Sequence, residues 1–207
     1  MIALDLLFLY ALVAFFCVIV NGMLLNRTLA SKYKESIDKN YCVLLVFFIL
    51  FSLVDGIWGL FASDMLMISY KGFWISTYGF HFMASLSAFV WSGYLVHYLK
   101  LDKKLRLSLN CIRYLLLIAM VAIWGSNFFT HNVFVITEDV EYVTGPLRRW
   151  LFYLQFSYYV IFTLFILAAL IATKKTDRRS IYISAIVFSS IPLLTGVFQL
   201  LWPDGPM

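Results

Sequence analysis

Val43-Leu44-Leu45-Val46-Phe47-Phe48-Ile49-Leu50-Phe51-Ser52-Leu53-Val54-Asp55-Gly56-Ile57-Trp58-Gly59-Leu60-Phe61-Ala62 contains one charged residue in a run otherwise built of apolar and small side chains. A helix rises about 1.5 Å per residue, so roughly 20 such residues cross the ~30 Å hydrocarbon core of a bilayer. An isolated strand would leave its backbone groups unpaired in lipid, so the stretch reads as a transmembrane helix even though Val, Ile and Phe favour strands in water.

Working outward, spans of similar character run over 3–25, 41–62, 73–98, 111–130, 150–172 and 181–203. Of the 207 residues 63% are hydrophobic and 13% charged, and mean hydropathy is +0.88. A soluble chain carries about 25% charged residues, so lipid has to be the outer solvent. The expected fold is all-α: a polytopic bundle of six membrane-spanning helices, 1–207, with no soluble domain. No Lys or Arg precedes the first span and no small-x-small cleavage site follows it, which argues for a retained helix over a signal peptide.

Charge orients the bundle. Arg27, Lys32, Lys34 and Lys39 flank the first connection; Lys100, Lys103, Lys104, Arg106 and Arg113 the third; Lys174, Lys175, Arg178 and Arg179 the fifth. Only Lys71, Arg148 and Arg149 fall on the other side. The positive-inside rule then puts both termini outside the cytoplasm, in a multi-pass cell-membrane protein. The net charge of +5 is explained by these loops and their anionic lipid neighbours, without nucleic acid as a partner. Trp74, Tyr78, Trp150, Tyr153 and Trp202 lie where outer aromatic belts are expected.

Cys17, Cys42 and Cys111 all fall in spans, without CxxC or Cys/His ligand spacing, and read as packing residues. Asn26-Arg27-Thr28 matches a glycosylation acceptor but falls on the cytoplasmic side. No GxGxxG, Walker A, HExxH or GxSxG occurs, so the chain is expected to carry no catalytic residues, metal or cofactor.

Polar residues inside the spans single out a site. Asp55 lies roughly 10 Å below the outer surface and His81 about 12 Å, counted at the helical rise. An intramembrane carboxylate is costly and points to function or an internal partner. One reading pairs Asp55 with His81, each stabilising the other's charged form. The other leaves Asp55 on a nearby Tyr or Ser and His81 among aromatics. Ser126, Asn127, Gln155, Ser157 and Gln199 collect in the same outer half. Asp55, Trp58, Tyr78, His81, Trp124, Asn127, Gln155 and Gln199 are therefore the candidate residues of an outward-opening ligand pocket. The competing reading makes them interhelical hydrogen bonds.

Three features concern architecture. Ala84, Ala88 and the serines between them form a small-residue face on the third span. Pro192 is expected to kink the sixth. In the outer loop 131–149, Phe134-Val135-Ile136-Thr137 and Glu141-Tyr142-Val143-Thr144 flank an acidic turn and read as a hairpin lid, although no Asn-Gly or Asp-Gly is present. Pro203-Asp204-Gly205-Pro206 reads as a turn on the outer side, so a receptor of this plan needs a seventh crossing to reach the cytoplasm. The chain is expected to be the front of a longer protein.

The order of spans, Asp55-Gly56-Ile57-Trp58-Gly59-Leu60, the third span around Phe80-His81-Phe82 and Phe89-Val90-Trp91, and Phe198-Gln199-Leu200-Leu201-Trp202-Pro203 together resemble one family. It is the multi-helix N-terminal sensory region of bacterial GGDEF-type diguanylate cyclases and some histidine kinases, and the likeness covers nearly the whole chain. The resemblance implies a seventh span, a cytoplasmic output domain and a homodimer formed through it. None of these, and no catalytic residue of either enzyme, is in these 207 residues. The leading expectation is a sensory input module for an unknown small ligand or membrane-borne signal. A small-solute transporter or substrate-capture subunit is the alternative; an embedded enzyme comes third, since Asp55 and His81 lack a nucleophile or metal set.

Overall fold

The computed structural model describes residues 2–30, 39–63, 69–99, 101–173, 179, 181–187, 189–190 and 197. Five helices and a hairpin follow in order: α1 (Ile2–Ala30), α2 (Lys39–Ala62), α3 (Tyr70–Tyr98), α4 (Lys103–Thr130), β1 (Phe134–Ile136), β2 (Tyr142–Thr144) and α5 (Arg148–Ala172). Residues 181–187 are helical too, where the sixth span is expected; Gln199, Pro192 and most of 191–203 lie outside the described residues.

Among the described residues, four helices are long and apolar enough to cross a membrane: Leu7–Ala30, Lys39–Ala62, Lys103–Thr130 and Arg148–Ala172. The third expected span differs. α3 has 29 residues, as many as α1, but Ser, Thr, Gly, His, Tyr and Trp dilute its apolar content. Its position explains the tolerance. Phe73, Thr77, Tyr78, His81, Ser85, Ala88, Trp91, Ser92, Leu95 and Val96 are all buried, so much of this helix meets protein where its neighbours leave large apolar side chains exposed. Phe16, Met23, Leu115, Ile118 and Ile171, on α1, α4 and α5, are more than half exposed.

Helix packing in lipid gains little from apolar burial and depends on close fit and polar contacts. The side-chain contacts run antiparallel from helix to helix. Tyr10 of α1 meets Asp55 of α2, and Trp58 of α2 donates to Thr77 of α3 at 3.1 Å. Along α3 and α4, Tyr78 meets Asn127 while Ser92 meets Arg113. Gln155 of α5 meets Ser85 at 3.1 Å and Tyr159 packs on Trp91, so α3 and α5 run parallel. One end of the bundle therefore carries the hairpin. The other carries Arg27, Lys39, Lys103, Lys104 and Arg106.

Small residues set the spacing. A Cβ on Gly59 would lie 3.2 Å from Cβ of Ala11, so α1 sits on the α2 backbone there. On α3, Ser85, Ala88 and Ser92 are buried and form the close-packing face; Ser85 and Ser92 bond back to the carbonyls of His81 and Phe89. Two expectations need correction. Residues 103–110 are not loop but the first two turns of α4, since Lys, Leu and Arg are strong helix formers; Asp102 stands at the N-cap position without a side-chain bond to the helix. Cys111 is exposed and is not a packing residue within this chain.

Candidate functional site beneath the hairpin

The hairpin forms with the strands expected, in the register Phe134↔Thr144, Val135↔Val143 and Ile136↔Tyr142. Its turn is built differently from a two-residue Asn-Gly loop. Thr137 N–H donates to the Glu141 carbonyl at 2.9 Å, leaving Glu138, Asp139 and Val140 as a three-residue loop. Such loops take a residue in the left-handed region at the third position. Val140 fills it at φ 64°, a rare conformation for a β-branched residue. The Thr137 hydroxyl accepts from the Glu141 N–H at 3.1 Å and steadies the turn. Alternation does the rest: Phe134 and Ile136 are buried while Val135 is exposed.

Asn127 fastens this lid. α4 ends just beyond it, with His131 at φ 53° turning the chain back and donating to the Asn127 carbonyl. Its side-chain oxygen accepts from Val133 N at 2.7 Å and Phe134 N at 3.2 Å. Its amide nitrogen donates to the Phe134 carbonyl and the Tyr78 hydroxyl, both at 3.1 Å. Gly145 closes the other strand: a Cβ there would collide with the Asn132 carbonyl, because Gly145 N–H donates to Val133 O at 2.8 Å.

Under the hairpin lies an aromatic cluster. Tyr78, buried and far from a lipid-facing belt position, stacks on Phe128 at 4.4 Å and meets Trp74, Trp124 and Phe134. Trp58 stacks on Phe80 at 5.2 Å and meets Tyr142 edge-on. Arg148 sits 5.1 Å over the Tyr142 ring. Burial pushes the Tyr142 phenol above its ordinary value, while the Arg148 charge opposes the shift.

His81 occupies the centre. It is 5% exposed, stacked on Phe134 at 5.5 Å and against Phe80 at 5.1 Å. Its Nε2 is buried with no hydrogen-bond partner among the described residues, as are Nε1 of Trp91 and Trp124 and the hydroxyls of Ser87 and Thr163. A buried unpaired polar atom costs about 1–3 kcal/mol; of these five, His81 Nε2 and Trp124 Nε1 belong to the aromatic cluster around the hairpin. The Asp55–His81 pair is not formed. Asp55 accepts from the Tyr10 hydroxyl instead, because the glycine contact brings α1 onto the carboxylate face of α2.

Of the eight candidates, the structure gathers Trp58, Tyr78, His81, Trp124 and Asn127 around the lid. Gln155 is bonded to Ser85 one turn below His81, Asp55 belongs to the α1–α2 contact, and Gln199 lies outside the described residues. Phe134, Tyr142 and Arg148 complete the cluster, and no sequence motif marks them as site residues; the hairpin pattern was the signal that could have found them. Among the described residues no three His, Cys, Asp or Glu side chains come together to hold a metal. No family model matches this chain, and no similar curated protein or solved structure was found.

Proposed function

We propose that the chain is a membrane-embedded sensory input module that crosses the bilayer six times, with the hairpin and both termini outside the cytoplasm. Its signal, a small ligand able to hydrogen-bond and stack on aromatic rings, reaches His81 when the lid lifts. The change passes to a cytoplasmic signalling domain of the GGDEF or kinase kind, and the chain itself catalyses nothing. The observation that carries this reading is the unpartnered Nε2 of the buried His81, stacked beneath the hairpin that Asn127 fastens. α3 suits the relay, since it runs unbroken from His81 to the basic end. The thirteen basic residues distributed on that side support the orientation.

The test uses the full chain in nanodiscs, with Cys17 and Cys42 changed to Ser and a fluorophore on Cys111. A panel of small polar aromatic and amphiphilic compounds is screened by thermal shift. A ligand that stabilises the parent should bind about tenfold more weakly to His81→Phe, the worth of one buried hydrogen bond. It should also change the Cys111 emission. A ligand whose affinity ignores His81→Phe sinks the site, and one carried across proteoliposomes makes the chain a transporter. Cysteines placed at 136–142 should label from outside intact cells and those at 101–108 should not; the reverse overturns the orientation.

A further inference from the structure

The basic end holds two adjoining cavities. The first, about 200 Å³, lies between the last turn of α3 and the first turns of α4, lined by Gly93, Val96, His97, Leu101, Arg106 and Asn110. The second, about 280 Å³, is mainly apolar and runs between α4, α5 and the helical residues at 181–187, past Leu105, Phe165, Ala168 and Tyr182. Leu101 lines both, so they lie side by side.

Each polar side chain of the first cavity can donate a hydrogen bond. Arg106 supplies a guanidinium and His97 an imidazole. Asn110 is fixed by Arg113, whose Nη1 donates to the Asn110 side-chain oxygen at 2.7 Å, so the amide N–H groups are what Asn110 has left to offer. Arg113 adds its own charge from behind. It is 9% exposed, and among the described residues it donates to the Ser92 hydroxyl, the Asn110 amide and the Phe89 carbonyl, all neutral. The Phe89 ring lies 4.3 Å away and neutralises nothing. Among the described residues, Asp102 is the only carboxylate lining either cavity, and it borders the second. A basic, donor-rich recess opening into an apolar groove matches an amphiphile with a negative head.

We propose that this double cavity binds an anionic phospholipid, its phosphate against Arg106, His97 and Asn110 and one acyl chain along Leu105, Phe165 and Ala168. Arg106 is exposed, so its head group is free to meet the lipid without disturbing the core. The basic recess would accept a soluble phosphate ester as well as a lipid phosphate, but only a lipid would also fill the apolar groove.

The full chain, purified in detergent and titrated with phosphatidylglycerol, phosphatidylcholine, inorganic phosphate or glycerol phosphate, tests this by native mass spectrometry and thermal stability. Phosphatidylglycerol should be retained in preference to phosphatidylcholine. Arg106→Gln should weaken that retention about fivefold, the worth of one basic residue at an anionic surface. Arg149→Gln, an exposed change at the opposite end, should leave it unaltered. Ala168→Trp, also at an exposed position, should lower lipid retention by filling the groove. Equal retention of both lipids, or a parent-like Arg106→Gln, overturns the site. If glycerol phosphate stabilises as well as the lipid and Ala168→Trp has no effect, the ligand is a soluble phosphate and the lipid assignment falls.

Discussion

α4 carries two buried polar residues, Arg113 near the basic end and Asn127 near the hairpin, separated by roughly 21 Å at the helical rise. Asn127 is a neutral amide with four hydrogen bonds, two through each polar atom, and it closes its end of the bundle. Arg113 also bridges elements, reaching Ser92 and Phe89 on α3 while its carbonyl accepts from Tyr158 of α5 at 2.5 Å. Yet a guanidinium has five donors and a full charge, and neutral acceptors leave that charge uncompensated. A satisfied amide pins a lid; a cation with neutral partners keeps attracting anions. On the readings proposed above, the two ends of one helix differ in task through the electrostatics of a single side chain each.

The comparison breaks most visibly at Asn127. Asn127→Leu strands Val133 N, Phe134 N, Phe134 O and the Tyr78 hydroxyl, and at about 1 kcal/mol per lost bond it should cost roughly 4 kcal/mol. The loss should be local: proteolysis and hydrogen exchange should show the segment 133–144 released while the helices stay protected. If the whole bundle melts instead, Asn127 is a core residue and not a lid fastener.

Gly93→Ala addresses the other end. The new Cβ would collide with Nη2 of Arg113, and a long side chain can shift where backbone could not. A cost of about 2 kcal/mol is expected from overpacking. The combination with Asn127→Leu should be additive, because the sites lie far beyond contact. Strong non-additivity would mean that the two ends of α4 are energetically coupled.

Val140→Gly should raise hairpin stability by about 1 kcal/mol, since glycine adopts positive φ without steric cost. Slower exchange of the Thr137 and Glu141 amides would report it; faster exchange would show that the valine side chain holds the turn.

The smallest effect concerns pH. The folded Tyr142 phenol titrates above its unfolded value, so the folded state holds its proton longer. The stability this gives is present below about pH 10 and is lost as pH rises from there through the folded value. Lid protection should decline there, and Tyr142→Phe should remove the dependence.

The hairpin shows how far sequence alone reached. Alternating apolar residues around Glu138 and Asp139 placed both strands, but a two-residue turn signal could not reveal the left-handed Val140. Backbone hydrogen bonding across the loop, not local preference, holds that residue in place. Helix α3 shows a similar division: its length was readable, while its lower hydropathy became understandable only when its central position was known.

Asp55 marks the boundary most plainly. Depth along two helices is set by the linear rise, so the sequence determined that Asp55 and His81 lie at comparable levels, within an all-α bundle of apolar helices whose basic residues are concentrated toward one end. Rotation about each helix axis is not encoded by depth. It was decided by tertiary contacts: Gly59 against Ala11 brought Tyr10 onto Asp55, and the stack on Phe134 turned His81 beneath the lid. In lipid, where every face of a helix is already apolar, periodicity carries little information about which face turns inward, and close packing with polar pairing makes that choice.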